Sequence, residues 1–177
     1  MKYENIIKNI VLLAIFIIPF VPLVVVSSFF FPYIVGKNLL FRVLIEVAVG
    51  GWAVLALFNE KYRPRFSWIL GGVISLVGIM FFADLFGVNP LKSFWSNYER
   101  MEGWVTLLHL LGYFVVLTGM LNSQKLWTRF FNTSLLVSIW INIYGIFQLL
   151  GWASANQGTS RLDTTFGNAS YLAIYSV

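Results

Sequence analysis

The chain has 177 residues, 59% of them hydrophobic and 11% charged, with a mean hydropathy of +0.80; soluble domains carry about one quarter charged residues, so this is an integral membrane protein. The absence of cysteine excludes disulfides, thiolate metal sites and a cysteine nucleophile, and a single His109 among scattered carboxylates lacks the ligand spacing of a zinc site. The net charge of +5 sits in short loops between apolar runs rather than along one face, which argues against nucleic acid as a partner and reads instead as a topology signal.

Residues 9–36 carry no charge, more than the ~20 residues needed to cross a hydrocarbon core. A first span is expected over 10–31, an uncleaved anchor behind Lys2 and Lys8, kinked at Pro19 and Pro22. Further spans are expected over 39–58, 66–86, 103–121 and 130–152, and a sixth over 166–177 is cut short at Val177. The fold class is therefore all-α, a polytopic membrane bundle of five complete spans plus a truncated sixth, forming a single transmembrane domain over 1–177. Repeats and low-complexity segments are absent.

Positively charged loops are retained on the cytoplasmic side. The amino terminus and the second and fourth loops hold seven basic residues (Lys2, Lys8, Lys61, Arg63, Arg65, Lys125, Arg129) and two acids, Glu4 and Glu60. The other side balances Lys37, Arg42, Lys92, Arg100 and Arg161 against Glu46, Asp84, Glu99, Glu102 and Asp163. A cytoplasmic amino terminus follows, with Asn97 and Thr159 facing outward.

The loop from Asn89 to Trp104 crowds charges of both signs among Trp95, Tyr98 and Trp104, aromatics suited to headgroup level. Asn89-Pro90 breaks what precedes it, and the loop presents Glu99, Arg100 and Glu102. Arg42 and Glu46 lie four apart in the outer half of their span and should point into the bundle, since an ionisable group facing lipid costs about 2.5–3.5 kcal/mol on insertion scales. Asp84 ends the third span. Glu102, Thr106, His109 and Tyr113 form a polar stripe down the fourth, and Ser134, Ser138, Asn142, Gly145 and Gln148 a small-and-polar seam on the fifth. Arg100 and Arg161 can neutralise anionic oxygens, and the start of the sixth helix near Asn168 offers free N–H groups to an anion. The alternative is an ordinary juxtamembrane loop in which Arg100 pairs with Glu99 or Glu102 and Asn168 is a plain cap.

The run Phe86-Gly87-Val88-Asn89-Pro90, followed by Ser93-Phe94-Trp95-Ser96-Asn97-Tyr98-Glu99-Arg100-Met101-Glu102-Gly103, resembles the third-loop signature of the bacterial O-antigen ligase and O-antigen polymerase superfamily. Arg161-Leu162-Asp163-Thr164-Thr165-Phe166-Gly167-Asn168-Ala169-Ser170-Tyr171-Leu172-Ala173 resembles its next outer motif, with Ala169 where the family often has proline. The resemblance implies a GT-C-like membrane glycosyltransferase of the bacterial cytoplasmic membrane. Such an enzyme moves a glycan from a polyprenyl-diphosphate carrier to a lipid, glycan or protein acceptor at the outer face. It implies no metal, nucleotide or other cofactor, because the diphosphate is a pre-activated leaving group. Arg100 and Arg161 would bind that diphosphate, supported by Arg42, Glu46, Asp84, Glu99, Glu102, His109 and Asn168. No catalytic residue is assigned: the family's proposed catalytic histidine lies in a later loop, and His109 does not match it. This amino-terminal part alone is then expected to be inactive. The rival readings are a polymerase of the same superfamily, a transporter, and a non-enzymatic membrane assembly protein.

Overall fold

The computed structural model describes residues 2–156 and 161–176. Thr159 lies outside them. The described residues form seven α-helices and no strand: α1 (Lys2–Ile17), α2 (Val35–Phe58), α3 (Trp68–Leu85), α4 (Pro90–Trp95), α5 (Trp104–Met120), α6 (Gln124–Leu149) and α7 (Ala169–Ser176). Short 3₁₀ turns follow α1 at Ile18–Leu23 and α2 at Glu60–Tyr62. Among the described residues, four segments are long and apolar enough to cross a membrane: Tyr3–Leu23, Val35–Phe58, Trp68–Leu85 and Gln124–Leu149. α5 has 17 residues, about 26 Å at 1.5 Å per residue, slightly less than a ~30 Å hydrocarbon core. The eight residues of α7 reach about 12 Å.

The first helix starts earlier and stops sooner than the run of uncharged residues implies, at Tyr3–Leu23 rather than 10–31. Pro19 and Pro22 lack an N–H and crowd the preceding turn, so the chain tightens to 3₁₀ and leaves the helix at Val24, whose N–H bonds Val21 O at 3.0 Å. Residues 24–34 then cross the end of the bundle as turns. α6 begins six residues before expectation because Ser123 caps it, its hydroxyl accepting from Leu126 N at 3.3 Å. Charged Lys125 and Arg129 hide that start from an apolar window, whereas the cap does not depend on apolarity.

α1 packs antiparallel on α2, and α5 lies against both α2 and α3. The core is built from Val11, Ala14 and Ile15 of α1, Ala48 and Leu55 of α2, Val116 and Met120 of α5 and Phe130 of α6. Large apolar side chains remain exposed on α3 (Ile69, Ile79, Phe82) and α6 (Leu135, Leu136, Trp140), an outward apolar surface that water would penalise and lipid accepts.

The loops collect at two ends. At the amino-terminal end Glu4 accepts from Asn59 Nδ2 (3.0 Å) and Tyr62 Oη (3.2 Å), and Trp52 Nε1 donates to Tyr62 O (2.8 Å). Burial first, then the bond to and charge of Glu4, raise the pKa of the Tyr62 phenol. The opposite end, called here the loop end, carries residues 24–34, 86–103 and 161–168. The seven basic and two acidic residues grouped by sequence thus fall at one end, and the balanced set at the other.

Candidate functional site at the loop end

Asn89-Pro90 does more than break a helix: it starts one. Asn89 caps α4 by accepting from Lys92 N (3.3 Å), and Pro90 occupies the first turn, where its missing N–H costs nothing. α4 stops at Ser96, whose φ of 61° ends the helix. The chain then turns tightly, Asn97 Oδ1 taking Arg100 N (2.9 Å) and Asn97 O taking Met101 N (2.9 Å). Gly103 returns beneath Phe94, so close that a Cβ would sit 2.3 Å from Phe94 O. Phe81, Phe94 and Trp104 close the loop from below with ring centroids 5.0–5.5 Å apart, and Trp104 Nε1 donates to Val77 O (2.9 Å).

α2 holds this loop from the side. Asn38 Nδ2 donates to Arg100 O (2.9 Å), and Arg42 Nη2 donates to Met101 O (2.9 Å) and Thr106 Oγ1 (2.7 Å), while the Thr106 hydroxyl also donates to Met101 O. Arg42 therefore brackets the loop instead of pairing with Glu46. Glu46 meets His109 Nε2 at 3.3 Å, His109 Nδ1 meets Val105 O at 2.7 Å, and the Glu46 side chain is 67% exposed. Arg42 is partly buried against the loop, whereas Glu46 faces α5 across a groove that leaves it exposed. Thr106 stands opposite Arg42 and His109 opposite Glu46, so each charge finds its partner on α5.

The second motif is pinned from within. Asp163 is 0% exposed; its Oδ1 accepts from Gln148 Nε2 (2.9 Å) and its Oδ2 from Asn156 N (2.9 Å). Gln148 Nε2 also donates to Ser154 O (2.8 Å), and its Oε1 accepts from Thr164 N (2.9 Å) and Asp163 N (3.3 Å). This network holds Thr164 at φ 45°, a left-handed conformation that a β-branched residue rarely adopts. Gly167 follows at φ 66°, where a Cβ would lie 2.4 Å from Tyr33 Cγ. Asn168 Oδ1 accepts from Ser170 N (2.8 Å) at the start of α7. Lys37 Nζ donates to Thr165 O and lies 4.9 Å from the Phe166 ring centroid, tying α2 to the same segment.

Both motifs meet in one cleft of two adjoining cavities, about 260 and 250 Å³. Tyr33, Arg100, Phe166 and Tyr171 wall both; Glu99 and Asn168 belong to the first, Lys37 and Glu102 to the second. Arg100 is exposed, and its guanidinium has no hydrogen-bond or ion-pair partner among the described residues, Glu99 and Glu102 included. Arg161 is exposed and lines neither cavity; Asp84, at the end of α3, lines neither. Glu46 and His109 line a separate apolar groove of about 630 Å³ between α2 and α5. Sequence reasoning missed Lys37 and Tyr33, which charge balance and hydropathy treat as background, and it entered Asp163 only in the charge balance of the outer side, with no sign of its burial.

Neither a protein-family model, nor a curated protein, nor a solved structure matches this chain.

The close approach at Gly167 gives a direct test of the cleft's construction. Gly167→Ala is expected to displace Tyr33 and destabilise the protein by about 1–3 kcal/mol, from overpacking and the left-handed backbone together. Thermal unfolding in detergent measures it, with Gly72→Ala, where a Cβ meets nothing within 4 Å, expected to be neutral or stabilising.

Proposed function

We propose that the chain is the amino-terminal membrane part of an O-antigen ligase-like glycosyltransferase, and that the cleft at its loop end binds the diphosphate of a polyprenyl-linked glycan at the outer face. One observation carries the reading: two stretches far apart in sequence, both resembling that superfamily's outer motifs, converge on one cleft with an unpaired arginine at its centre. A diphosphate offers several anionic oxygens to a planar guanidinium, which can hold two at once; Lys37 adds a second cation, and Asn38 and Arg42 fix the backbone that carries Arg100. In the transfer, an acceptor hydroxyl bonds to the anomeric carbon and releases its proton to water, the bond from that carbon to the diphosphate oxygen breaks, and the charge on the departing diphosphate grows. Arg100 stabilises that growing charge. His109, turned toward Glu46 and Val105, serves as a strut rather than a base.

Under this reading the amino-terminal end is cytoplasmic. Cysteines placed singly at 63 and 125 should resist an impermeant maleimide in intact cells, while one at Asn97 reacts; labelling at 63 and 125 would reverse the orientation and remove the cleft from the outer leaflet. The reaction is tested by the ladder of glycan-modified acceptor on a gel. Deleting the gene should abolish the ladder and restoring it should return it. A ladder unchanged by deletion would refute the proposed activity.

A further inference from the structure

A cavity of about 670 Å³ lies at the opposite end of the bundle from the cleft. Its walls come from the loop after α2 (Lys61, Arg63, Arg65), the end of α5, and the start of α6 (Ser123, Gln124, Trp127). Three basic side chains face one acid, and their commitments differ. Arg63 is occupied, with Nη1 on Glu60 (3.0 Å) and Nε on Ala56 O (3.0 Å). Lys61 Nζ lies 6.0 Å from the Tyr62 ring centroid, and Arg65 has no hydrogen-bond or ion-pair partner among the described residues. Glu60 is thus spent on Arg63, leaving two cations uncompensated. At the start of the 26-residue α6, Ser123 satisfies the N–H groups of Leu126 and Trp127, while those of Gln124 and Lys125 have no partner among the described residues. Unpaired side-chain cations, free helix N–H groups and an indole at the rim meet at one level of the bundle.

We propose that this cavity binds the phosphate of an anionic phospholipid headgroup from the leaflet at the amino-terminal end. Basic pockets between membrane helices suit such headgroups, because phosphate takes charge-assisted bonds from lysine, arginine and backbone N–H together while the acyl chains run along the apolar flank of α6. Charges that merely orient the chain would not need to wall a cavity. The inference does not rest on the reading of the loop-end cleft.

The test is native mass spectrometry of the purified protein after delipidation, titrated with phosphatidylglycerol, phosphatidylcholine or inorganic phosphate. One phosphatidylglycerol should be retained, phosphatidylcholine at least fivefold more weakly, and millimolar phosphate should compete poorly. The double variant Lys61→Gln, Arg65→Gln should lose retention at least fivefold, and Lys8→Gln, which removes a charge at the same end but away from the cavity, should not. Asn122→Phe fills the cavity without altering any charge and should also lose retention, with an unchanged unfolding midpoint confirming that the variant is folded. Equal retention by the double variant and Lys8→Gln, or full retention by Asn122→Phe, would overturn the site. Displacement by phosphate at concentrations comparable to the lipid would overturn the lipid as its occupant.

Discussion

Asp163→Ala should destabilise the protein by about 3–5 kcal/mol and lower its abundance in the membrane several-fold, as removing one partner from a buried polar network does. The carboxylate is fully enclosed and both its oxygens are used. Its loss strands one proton of the buried Gln148 Nε2, at about 1–3 kcal/mol for a buried donor without a partner, and frees the N–H of exposed Asn156. Gln148 would lose its fixed orientation as well, and with it the bond that holds Thr164 in its strained turn. Asp163→Asn keeps the shape but turns one acceptor into a donor facing a donor, so its loss should be smaller. Thermal unfolding in detergent measures both, with exposed Lys92→Ala expected to stay within about 0.5 kcal/mol of the parent. Since Asp163 and Gln148 act as one unit, the double alanine variant should cost clearly less than the sum of the singles. Additive losses would mean that the two side chains do not cooperate.

Arg100→Lys should lower glycan transfer at least tenfold while the protein still inserts at its normal level. Lysine keeps the charge but loses the planar fork, so the expected loss corresponds to about 1.4 kcal/mol or more of transition-state stabilisation. The substitution belongs in the gene at its natural locus, so that every other part of the protein is retained. Lys37→Gln should reduce transfer by a smaller factor, because its ammonium is shared with Thr165 O and the Phe166 ring. Arg161→Lys should have the weakest effect of the three, since that side chain lines neither cavity. The gel ladder, normalised to membrane level, ranks them.

The bundle itself was legible because lipid imposes a coarse rule: long uncharged runs become helices, and the basic loops gather at one end. Boundaries were less legible where short-range chemistry overrides hydropathy, at the prolines that end the first helix and at the Ser123 cap that opens α6 ahead of its apolar stretch. The loop from Asn89 to Trp104 was recognisable as special from its charges and aromatics, and Arg100 does stand unpaired in the cleft. Its partners were hidden, since the i,i+4 spacing of Arg42 and Glu46 says that they share a face but not that Thr106 and His109 stand opposite them. The burial of Asp163 was hidden for a related reason: it depends on Gln148, fifteen residues earlier on a different element. Lys37 likewise gave no local signal, as its contacts lie on a segment 128 residues away.

Direct binding of the carrier headgroup is the most decisive measurement for the cleft. Purified protein would be titrated with a polyprenyl diphosphate and, separately, with the corresponding monophosphate, and retention read by native mass spectrometry for the parent, Arg100→Gln and Lys8→Gln, which lies away from both the cleft and the basic cavity. The account predicts tighter retention of the diphosphate than of the monophosphate, at least a tenfold loss with Arg100→Gln, and no change with Lys8→Gln. Equal retention of diphosphate by the parent and Arg100→Gln would contradict it.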